Sequence, residues 1–343
     1  MHPAKVLVVI LNWNGLRDTI ECLESVYRLD YANFEVLVVD NGSSADPGPA
    51  INEKYPRTVL IRNRENLGYT GGNNVGLRYA QERGADYIWL LNNDTIVDPR
   101  CLSRIVSTAE TSEKIGLVSP VVYYHDARTR PQFSGSRISM SDLTLELPDL
   151  SKRVPDTFTT GPEVCLWGTA LLVNAALARR IGLLDEKYFA YWEDTEYSLR
   201  ALRAGYANRV APSASVFHKA PPRDTIRASL HFHYYMERNR LLLARQHLSF
   251  ARMVRAYRTQ LATLAITMRT FHDLGATAAA AARLSGFLDG LRWVTGRMPS
   301  EGAGLPHRMV SAVLLWHPYI FAELVRGDFR TVWRRVVGAS LDR

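Results

Sequence analysis

The first 120 residues alternate between strand and helix patterns, and this alternation constrains the fold more than any other feature of the chain. Residues 6–11 form an uninterrupted apolar run of strand length, and apolar residues at helical spacing follow from residue 15 to residue 29. The alternation continues with strands at 34–39, 58–61 and 85–91 and with a helix at 71–83. Apolar strands separated by helices predict right-handed crossovers and a parallel sheet that is buried on both faces.

Charge divides the chain into two parts. Residues 223–343 contain 18 Arg, no Lys and 8 acidic residues, whereas residues 1–222 carry 24 basic and 26 acidic residues. We therefore predict an α/β domain at 1–222 and a basic, mainly helical extension at 223–343. Arginines mixed with apolar residues favour an anionic membrane surface as a partner. The alternative is a helical appendage that exposes a solvated arginine face, and nucleic acid is not predicted because no binding motif accompanies the charge.

The expected location is the cytoplasm, peripherally on the cytoplasmic face of the membrane. The three cysteines have neither disulfide nor metal-ligand spacing, which suits a reducing compartment. The first residues lack the apolar region of a signal peptide, and no stretch has the length of uninterrupted apolar residues that a spanning helix needs.

Polar residues stand where two of the predicted strands end. Asp94 follows the strand at 85–91, and Asp40 follows the strand at 34–39. Open α/β sheets bind ligands at this edge, where Asp94, together with water and a diphosphate, could hold a divalent cation and Asp40 could bind a base or sugar. The alternatives are a turn or a helix N-cap near residue 98 for Asp94 and a turn for Asp40.

A glycine-rich segment at 66–77 leads into the helix at 71–83. Its glycines permit close backbone approach, and a helix N-terminus favours anions, so a diphosphate nearby is expected. A simple glycine-rich turn is the alternative. The turn after the first strand reads NWNG, which lacks the dinucleotide fingerprint G-x-G-x-x-G.

A second cluster lies beyond residue 160. A strand predicted at 168–173 returns to the site. Residues 189–196 start a helix that is predicted to run to residue 205, with three carboxylates in its first turn behind Tyr191 and Trp192. The helix dipole alone could explain these acids, but an acid beside an aromatic wall is also well placed as a general base. His218 ends a strand at 215–218 and is either a metal ligand or a structural residue.

Several segments occur in a fixed order: residues 8–15 (VVILNWNG), 38–43 (VVDNGS), 66–74 (NLGYTGGNN), 90–95 (LLNNDT), 192–196 (WEDTE) and 218 (H). Together they resemble the family-two inverting glycosyltransferases, particularly the bacterial rhamnosyltransferase-like branch, over roughly residues 4–245. Residues 234–240 (YYMERNR) also resemble the family's segment just after the catalytic domain.

The resemblance implies a GT-A fold, a nucleotide-sugar donor and Mn²⁺ or Mg²⁺ as cofactor. By that similarity Asp40 contacts the nucleotide base, Asp94 is the metal ligand of a DXD-like triplet, and His218 is a further metal ligand. Asp194 is the catalytic base, with Glu193 beside it in the catalytic set.

The same resemblance predicts further nucleotide-sugar-binding residues: Asn12, Asn14, Asn41, Gly68, Gly72, Asn73, Asn92, Asn93, Trp167 and Gly168. One departure is that the triplet begins with the amide of Asn92 where the DXD pattern has an acid, which predicts weaker metal affinity. The polar segment 136–156 is a candidate lid over the donor.

The predicted function is inverting transfer of a sugar from a dTDP-rhamnose or UDP-hexose type donor to a hydroxyl group. The acceptor is expected to be a cell-envelope glycan or a polyprenyl-linked sugar. The alternatives are a nucleotidyltransferase acting on sugar phosphates, which would release pyrophosphate, and a non-catalytic sugar- or lipid-binding module, which would tolerate Asp194→Asn.

Overall fold

The computed structural model of the chain describes residues 3–152, 155–219 and 228–299. The chain divides into two compact units, Met1–Ser139 with Leu145–Pro222 and Met140–Thr144 with Arg223–Arg343.

The first unit is built around a large sheet. The strands of this unit, which also contains a small second sheet, are β1 (Val6–Asn12), β2 (Phe34–Asp40), β3 (Val59–Arg62), β4 (Tyr87–Asn92), β5 (Thr95–Val97), β6 (Ile115–Tyr124), β7 (Ala127–Phe133), β8 (Ser136–Ile138), β9 (Leu145–Glu146), β10 (Val164–Cys165), β11 (Ala170–Asn174) and β12 (Ala207–His218). Its helices are α1 (Leu16–Val26), α2 (Gly48–Lys54), α3 (Gly68–Glu82), α4 (Cys101–Glu110), α5 (Asp156–Thr159), α6 (Ala175–Ile181) and α7 (Glu193–Arg203).

The main sheet has the order β3-β2-β1-β4-β11-β6-β12-β5, and β7 pairs with β6. β1 is parallel to β2 and β4, and β2 is parallel to β3. β6 and β12 form a further parallel pair, whereas β5, β7 and β11 run antiparallel to their neighbours. The predicted α/β class with a mainly parallel sheet flanked by helices is confirmed.

The continuous apolar run of β1 arises because helices cover both faces of the sheet. Val6, Val8 and Ile10 pack into one core with residues of α1 and α4. Leu7 and Val9 point the other way, into a second core with residues of α3, α6 and α7. Successive side chains of a strand alternate between faces, so both sets of side chains from Val6 to Ile10 are buried.

Several element boundaries differ from those predicted. α3 begins at Gly68 rather than residue 71, because its N-terminal turn includes the glycines of the motif. The strand predicted at 168–173 is β11, Ala170–Asn174, which is antiparallel to β4. Part of the segment 136–156 forms β8 and β9, and β8 pairs with both β9 and β10 in a separate three-stranded sheet. A lid role for this segment stays a prediction.

The second unit is mainly helical in the residues that the structure describes. Its helices are α8 (Leu230–His247), α9 (Phe250–Asp273) and α10 (Thr277–Leu291). They share an apolar core of Leu241, Leu264, Met268, Phe271, Ala279, Ala280, Leu284 and Phe287. Nowhere in the described part of the chain does a helix combine the length and the hydrophobicity needed to cross a membrane.

Buried polar side chains join these helices as well. Glu237 of α8 accepts a hydrogen bond from Nε2 of Gln260 (2.9 Å) and pairs with Arg283 of α10. Arg238 is fully buried, and its guanidinium carbon lies 4.7 Å from the ring centroid of Tyr235. Two of the arginines in the basic extension therefore have structural roles inside the helical unit.

Candidate active site

The predicted site residues of the first unit gather at the carboxyl edge of the main sheet. Asn12 and Asp40 end β1 and β2 and are paired across them. Asn92 ends β4, next to β1. β11 enters the sheet at this same edge because it is antiparallel to β4, and β12 leaves it at His218. Ligands bind at this edge in open α/β sheets.

Asp40 is completely buried and accepts hydrogen bonds on both carboxylate oxygens. Oδ1 accepts from Nδ2 of Asn12 (2.8 Å) and from the hydroxyl of Ser43. Oδ2 accepts from Nε of Arg62 (3.1 Å) and from the backbone N–H of Ser43 (3.3 Å). The carboxylate shapes the turn after β2, and a nucleobase could contact it only by replacing one of these donors.

Asparagine side chains connect the first strand ends to each other. Asn12 accepts on Oδ1 from the hydroxyl of Thr19 (2.9 Å), and Nδ2 of Asn93 donates to the same hydroxyl (3.0 Å). Asn14, at φ 55°, accepts from the backbone N–H of Ser44 (2.9 Å). These bonds join the turn after β1 to the turns after β2 and β4.

The glycines of α3 let the helix pack closely on its surroundings. A Cβ at Gly72 would lie 2.4 Å from Cδ1 of Leu11, and a Cβ at Gly76 would lie 2.3 Å from Cγ1 of Val9. Gly68, at φ +76°, sits against the carbonyl oxygen of Phe189. Protein atoms thus fill the space beside these glycines, and their predicted role in donor binding is untested.

Two more predicted asparagines, Asn41 after β2 and Asn73 in α3, donate hydrogen bonds to the first turn of α3. Asn41 donates from Nδ2 to the backbone oxygen of Gly68 (2.9 Å), which ties the turn after β2 to the start of α3. Asn73 donates to the backbone oxygen of Tyr69 (2.9 Å) within the helix. Both side chains are buried and stabilise the N-terminal turns of α3.

Asp94 and His218 come together although 124 positions separate them. Asp94 lies in the turn between β4 and β5, and β5 pairs with β12 so that His218 is opposite Thr95. Nε2 of His218 is 3.2 Å from Oδ1 of Asp94. Nδ1 of the same ring lies 2.8 Å from Oε1 of Gln132 in β7.

The proton arrangement of this pair suits a shared cation. When Nδ1 donates to Gln132, Nε2 keeps a lone pair that faces the carboxylate of Asp94. Oδ1 of Asp94 is buried and has no directed hydrogen-bond partner among the described residues. Burial acts to raise the pKa of Asp94. When Nε2 of His218 carries a proton instead, its hydrogen bond and charge, together with the charge of Lys219, outweigh burial and hold the pKa of Asp94 below its ordinary value.

Asp94 and His218 fit a divalent cation as two of its ligands. Carboxylate oxygen and imidazole nitrogen are common metal ligands, and a diphosphate can supply further oxygens. Within the described ranges no group of three or more His, Cys, Asp or Glu side chains is placed to hold a metal.

Lys219 anchors the chain directly after His218. Its backbone N–H donates to the backbone oxygen of Asp94 (2.9 Å), and its ammonium group contacts Asp18 (2.7 Å) and Glu21 of α1. These contacts fix the end of β12 beside the turn that carries Asp94. The ion pairs also join α1 to the same turn.

A left-handed turn places the acids at the start of α7. Phe189, Tyr191 and Trp192 all have positive φ, at 63°, 67° and 70°. Such backbone is costly for aromatic residues and is concentrated at functional sites. The backbone oxygen of Phe189 accepts from the N–H of Thr70 (3.1 Å), so the turn is fastened to the first turn of α3.

Asp194 is held as a hydrogen-bond acceptor. Oδ2 accepts from the N–H of Gly168 (2.9 Å), and Oδ1 accepts from the N–H and the hydroxyl of Thr195 (2.6 and 3.3 Å). The neighbouring Thr169 accepts at its backbone oxygen from the N–H of Asn92 (3.0 Å). The segment before β11 therefore connects Asp194 to the Asn-Asn-Asp triplet.

Glu193 has a different environment although it adjoins Asp194. It is 4% exposed, and its Oε2 has no hydrogen-bond partner in the part of the chain that the structure describes. Burial and the charge of Asp194 raise the pKa of Glu193 well above its ordinary value. Burial also raises the pKa of Asp194, against its hydrogen bonds. Of the two carboxyl groups, Glu193 therefore holds a proton more readily than Asp194.

Aromatic side chains surround this carboxyl pair. The hydroxyl of Tyr69 donates to the backbone oxygen of Gly168 (2.6 Å), and burial and both acids raise its pKa well above the ordinary value. Trp167 stacks on Phe133 with 4.1 Å between ring centroids. Tyr191 is 39% exposed, and its role in an aromatic wall beside Asp194 stays a prediction.

Four residues with clear roles in this geometry were not predicted from the sequence: Arg62, Tyr69, Gln132 and Lys219. Tyr69 lies inside the glycine-rich motif and Lys219 follows His218, so proximity was a usable signal for both. Gln132 belongs to an exposed hairpin strand, and only the pairing of β6 with β7 and β12 brings it to His218.

The model of the family Glycosyl transferase family 2 matches residues 7–178, about half of the chain. The chain belongs to glycosyl transferase family 2. It is therefore a glycosyltransferase that uses a nucleotide-sugar donor. The match includes Asp40, Asp94 and Gly168, whereas Asp194 and His218 lie beyond it.

Two curated relatives share part of the sequence. A galactofuranosyltransferase (GlfT1) of Mycolicibacterium smegmatis is 28% identical over 224 residues, 63% of this chain and 72% of the relative. An N-acetylglucosaminyl-diphospho-decaprenol L-rhamnosyltransferase of Mycobacterium tuberculosis is 25% identical over 201 residues, 53% of this chain and 66% of the relative.

A solved structure has the same fold. The mannosyltransferase PcManGT from Pyrobaculum calidifontis, in complex with GDP-Man and Mn²⁺, superposes with a TM-score of 0.54 at 15% identity. The superposition covers 95% of this chain and 85% of the mannosyltransferase. At this identity the likeness concerns the fold alone, and it confirms the GT-A-type architecture.

Proposed function

We propose that this glycosyltransferase is inverting and metal-dependent and transfers a rhamnosyl or hexosyl unit from a dTDP-rhamnose or UDP-hexose type donor. The acceptor is a hydroxyl group of a cell-envelope glycan or of a sugar linked to a polyprenyl diphosphate. The observation that carries the proposal is the hydrogen-bonded carboxyl group of Asp194 at the same sheet edge as Asp94 and His218.

Asp194 is the proposed general base. Three hydrogen bonds fix its carboxylate, and its raised pKa makes it a stronger proton acceptor than an exposed aspartate. It removes the proton from the acceptor hydroxyl while the hydroxyl oxygen attacks the anomeric carbon. The nucleoside diphosphate leaves from the opposite face, so the configuration at that carbon is inverted.

Glu193 contributes to the site as a neutral group. A protonated carboxyl beside Asp194 can donate a hydrogen bond and adds no second charge that would repel the phosphates. The proposed catalytic set is therefore one base and one neutral acid, and their environments separate the two pKa values.

Asp94 and His218 are the proposed ligands of Mn²⁺ or Mg²⁺. When bound, the cation neutralises charge on the departing nucleoside diphosphate. Gln132 orients His218, and Lys219 holds the adjacent backbone in place. Asn92 takes the place of the first acid of a DXD pattern, so we expect the site to depend strongly on the oxygens of the diphosphate.

The donor is proposed to lie along the strand ends named above. The nucleoside side of the pocket would include Asp40 with Asn12 and Asn14, and the start of α3 would face the diphosphate. The sugar side would include Trp167 and Gly168. The lipid-linked acceptor is suggested by the name of the mycobacterial rhamnosyltransferase, whose substrate is a diphospho-decaprenol sugar.

A polyprenyl-linked acceptor implies that the reaction takes place at the cytoplasmic face of the membrane. The excess of arginine beyond residue 222 would attract anionic headgroups there. We therefore propose peripheral attachment to an anionic membrane surface.

Product analysis tests the proposed reaction. The full-length protein is incubated with Mn²⁺, a panel of nucleotide sugars and an acceptor with N-acetylglucosamine on a polyprenyl diphosphate. We expect release of nucleoside diphosphate and a product whose anomeric configuration, read by NMR, is opposite to that of the donor. Release of pyrophosphate would instead indicate nucleotidyl transfer, and retained configuration would contradict the role of Asp194.

A further inference from the structure

The hairpin of β6 and β7 is fastened to the proposed metal ligand His218. The backbone N–H of His125, in the hairpin turn, donates to the backbone oxygen of His218 (2.9 Å), and Oε1 of Gln132 lies 2.8 Å from Nδ1 of the imidazole ring. Tyr124, at the end of β6, is the partner of His218 in the parallel pairing of β6 with β12. The hairpin therefore stands at the carboxyl edge of the main sheet, directly beside the candidate active site.

Two exposed arginines of this hairpin lie over aromatic rings. The guanidinium carbon of Arg128 is 4.8 Å from the ring centroid of Phe217, and that of Arg130 is 5.1 Å from the ring centroid of Tyr124. Among the residues that the structure describes, no carboxylate forms an ion pair with either arginine, not even Asp126 in the adjoining turn. A guanidinium group over a ring keeps its N–H donors available at its rim, where they can bind two oxygens of a phosphate.

Arg128 lies on the same face of the sheet as the proposed base. Successive side chains of a strand alternate, so Phe217 and His218 point to opposite faces of β12. The ring of Phe217 contacts Tyr123, with 6.0 Å between centroids, and Tyr123 packs against the core that includes residues of α7. Arg128 is therefore on the side of α7, whose first turn carries Asp194.

The position of Arg128 favours the acceptor over the donor as its ligand. The donor is proposed to lie along the ends of β1, β2 and β4, whereas β7 and β12 stand next to β6, beyond β4 and β11 in the sheet. The acceptor hydroxyl has to reach Asp194, on the face where Arg128 lies. A diphosphate that joins the acceptor sugar to a polyprenyl chain places negative charge close to that sugar, and Arg128 supplies the complementary cation.

We propose that Arg128 binds the diphosphate of the acceptor and thereby selects a sugar linked to a polyprenyl diphosphate over a neutral glycan. The inference rests on the proposed function and chooses between the two acceptor classes that the proposed function leaves open. The ring of Phe217 supports the guanidinium group, and the bonds between the hairpin and His218 hold it in a fixed position at the site.

Kinetics with two acceptors that differ only in their linkage test the proposal. One acceptor carries N-acetylglucosamine on a short prenyl diphosphate, and the other carries the same sugar on a neutral alkyl chain. Arg128→Gln should raise the KM of the diphosphate acceptor by about tenfold or more, because charge-assisted hydrogen bonds to the phosphate are lost. The KM of the donor and the KM of the neutral acceptor should change little.

Arg180→Gln is the matched control. Arg180 is also exposed, and its guanidinium carbon lies 5.7 Å from the ring centroid of Tyr206, which precedes β12 at the opposite edge of the sheet. The change removes the same charge and the same kind of ring contact, and it should leave the KM of both acceptors unchanged. Arg128→Lys keeps the charge but loses the two-pronged geometry, so its KM for the diphosphate acceptor should be intermediate.

Other results would overturn the proposal. An equal rise in KM for both acceptors would make Arg128 a support of the hairpin alone, and a rise in the KM of the donor would assign it to the nucleotide diphosphate. Equal KM values for the two acceptors in the unchanged protein would favour a glycan without phosphate.

A binding measurement separates this inference from the proposed function. If neither acceptor receives a sugar, the proposed function fails, but binding of the prenyl diphosphate can still be measured by calorimetry with a nucleoside diphosphate and Mn²⁺ present. We expect Arg128→Gln to weaken this binding by about tenfold or more. Equal affinity of the unchanged protein and Arg128→Gln would refute the role of Arg128.

Discussion

At the scale of residues, the surroundings of two neighbouring carboxyl groups, Glu193 and Asp194, affect their pKa values differently. Asp194 accepts hydrogen bonds from Gly168 and Thr195, which favours its charged form. Glu193 is buried without such donors on Oε2 and beside a charge of the same sign. Sequence proximity could not separate the two, because each stands in the first turn of α7.

Asp194→Asn keeps the size of the side chain but removes its ability to accept a proton. We expect turnover to fall by roughly 10²–10⁴ while donor binding changes little, because the base acts in the transition state. Glu193→Gln is the matched control and should keep most of the activity, since a protonated Glu193 resembles an amide. Steady-state kinetics of both variants test the role of Asp194 as the base. Unchanged turnover in Asp194→Asn would assign that role to another residue.

Glu193→Gln should also change how stability depends on pH. The pKa of Glu193 is raised in the folded state, so the folded protein binds more protons than the unfolded chain above the ordinary glutamate pKa, and its free energy of unfolding declines as pH rises through this window. The amide does not titrate. We therefore expect the melting temperature of the variant to exceed that of the unchanged protein increasingly from pH 4.5 to pH 8. An equal difference at all pH values would contradict a protonated Glu193.

Replacement of the proposed metal ligands, or of the residue that orients one of them, should weaken metal-dependent activity. Asp94→Ala should remove most metal-dependent activity and His218→Ala should weaken it substantially, because each change deletes one ligand of a small set. Gln132→Leu should raise the Mn²⁺ concentration for half-maximal activity by about 10–100-fold through loss of orientation of His218. Activity is titrated with Mn²⁺, and full activity of the ligand variants at limiting Mn²⁺ would refute the assignment.

At the scale of elements, the position of α3 depends on how closely it approaches β1. Gly76 faces Val9, and a Cβ would overlap its methyl groups. The same packing keeps the first turn of α3 next to the left-handed turn at Phe189 and hence next to Asp194. The glycines of the motif thus position the site as well as shape a turn.

Gly76→Ala tests this packing. Alanine favours helix by about 1 kcal/mol over glycine, but overpacking a rigid core costs about 1–3 kcal/mol, so we expect a net loss of stability. In a Val9→Ala background the space exists, and the same change should become neutral or stabilising. Denaturant unfolding of the two single variants and the double variant gives the coupling between the sites, and additive effects would show that the two residues do not compete for space.

At the scale of the whole molecule, a nucleotide-sugar-binding unit is followed by a helical unit. The core shared by α8, α9 and α10 means that deleting the chain after α8 would expose the apolar face of that helix. Point substitutions of exposed residues therefore separate the proposed membrane attachment from catalysis more clearly than a deletion would.

A matching donor should raise the melting temperature of the whole protein in a metal-dependent way. A ligand that binds only the folded state adds about 2.7 kcal/mol at a concentration one hundred times its Kd. We expect the shift with dTDP-rhamnose or a UDP-hexose in the presence of Mn²⁺ and its loss in Asp94→Ala. Differential scanning fluorimetry checks this, and a shift that Asp94→Ala retains would show that metal and nucleotide bind independently.

The sequence by itself determined the mainly parallel sheet and the identity of most polar strand ends. Continuous apolar strands and helical spacing are local patterns, and they fix which residues must be buried. The bounds of α3 and the direction of β11 could not be predicted from such local patterns. They depend on contacts with segments remote in sequence, such as Gly76 with Val9 and β11 with β4.

Only the tertiary structure decided how the site is assembled. The meeting of Asp94 with His218, the support from Gln132, and the contact of Asp194 with Gly168 all join positions at least 26 residues apart. The raised pKa of Glu193 likewise follows from burial and from the neighbouring charge of Asp194, neither of which a local sequence pattern reports. The sequence determines which chemical groups are available, whereas strand order and close packing decide which of them meet and which are charged.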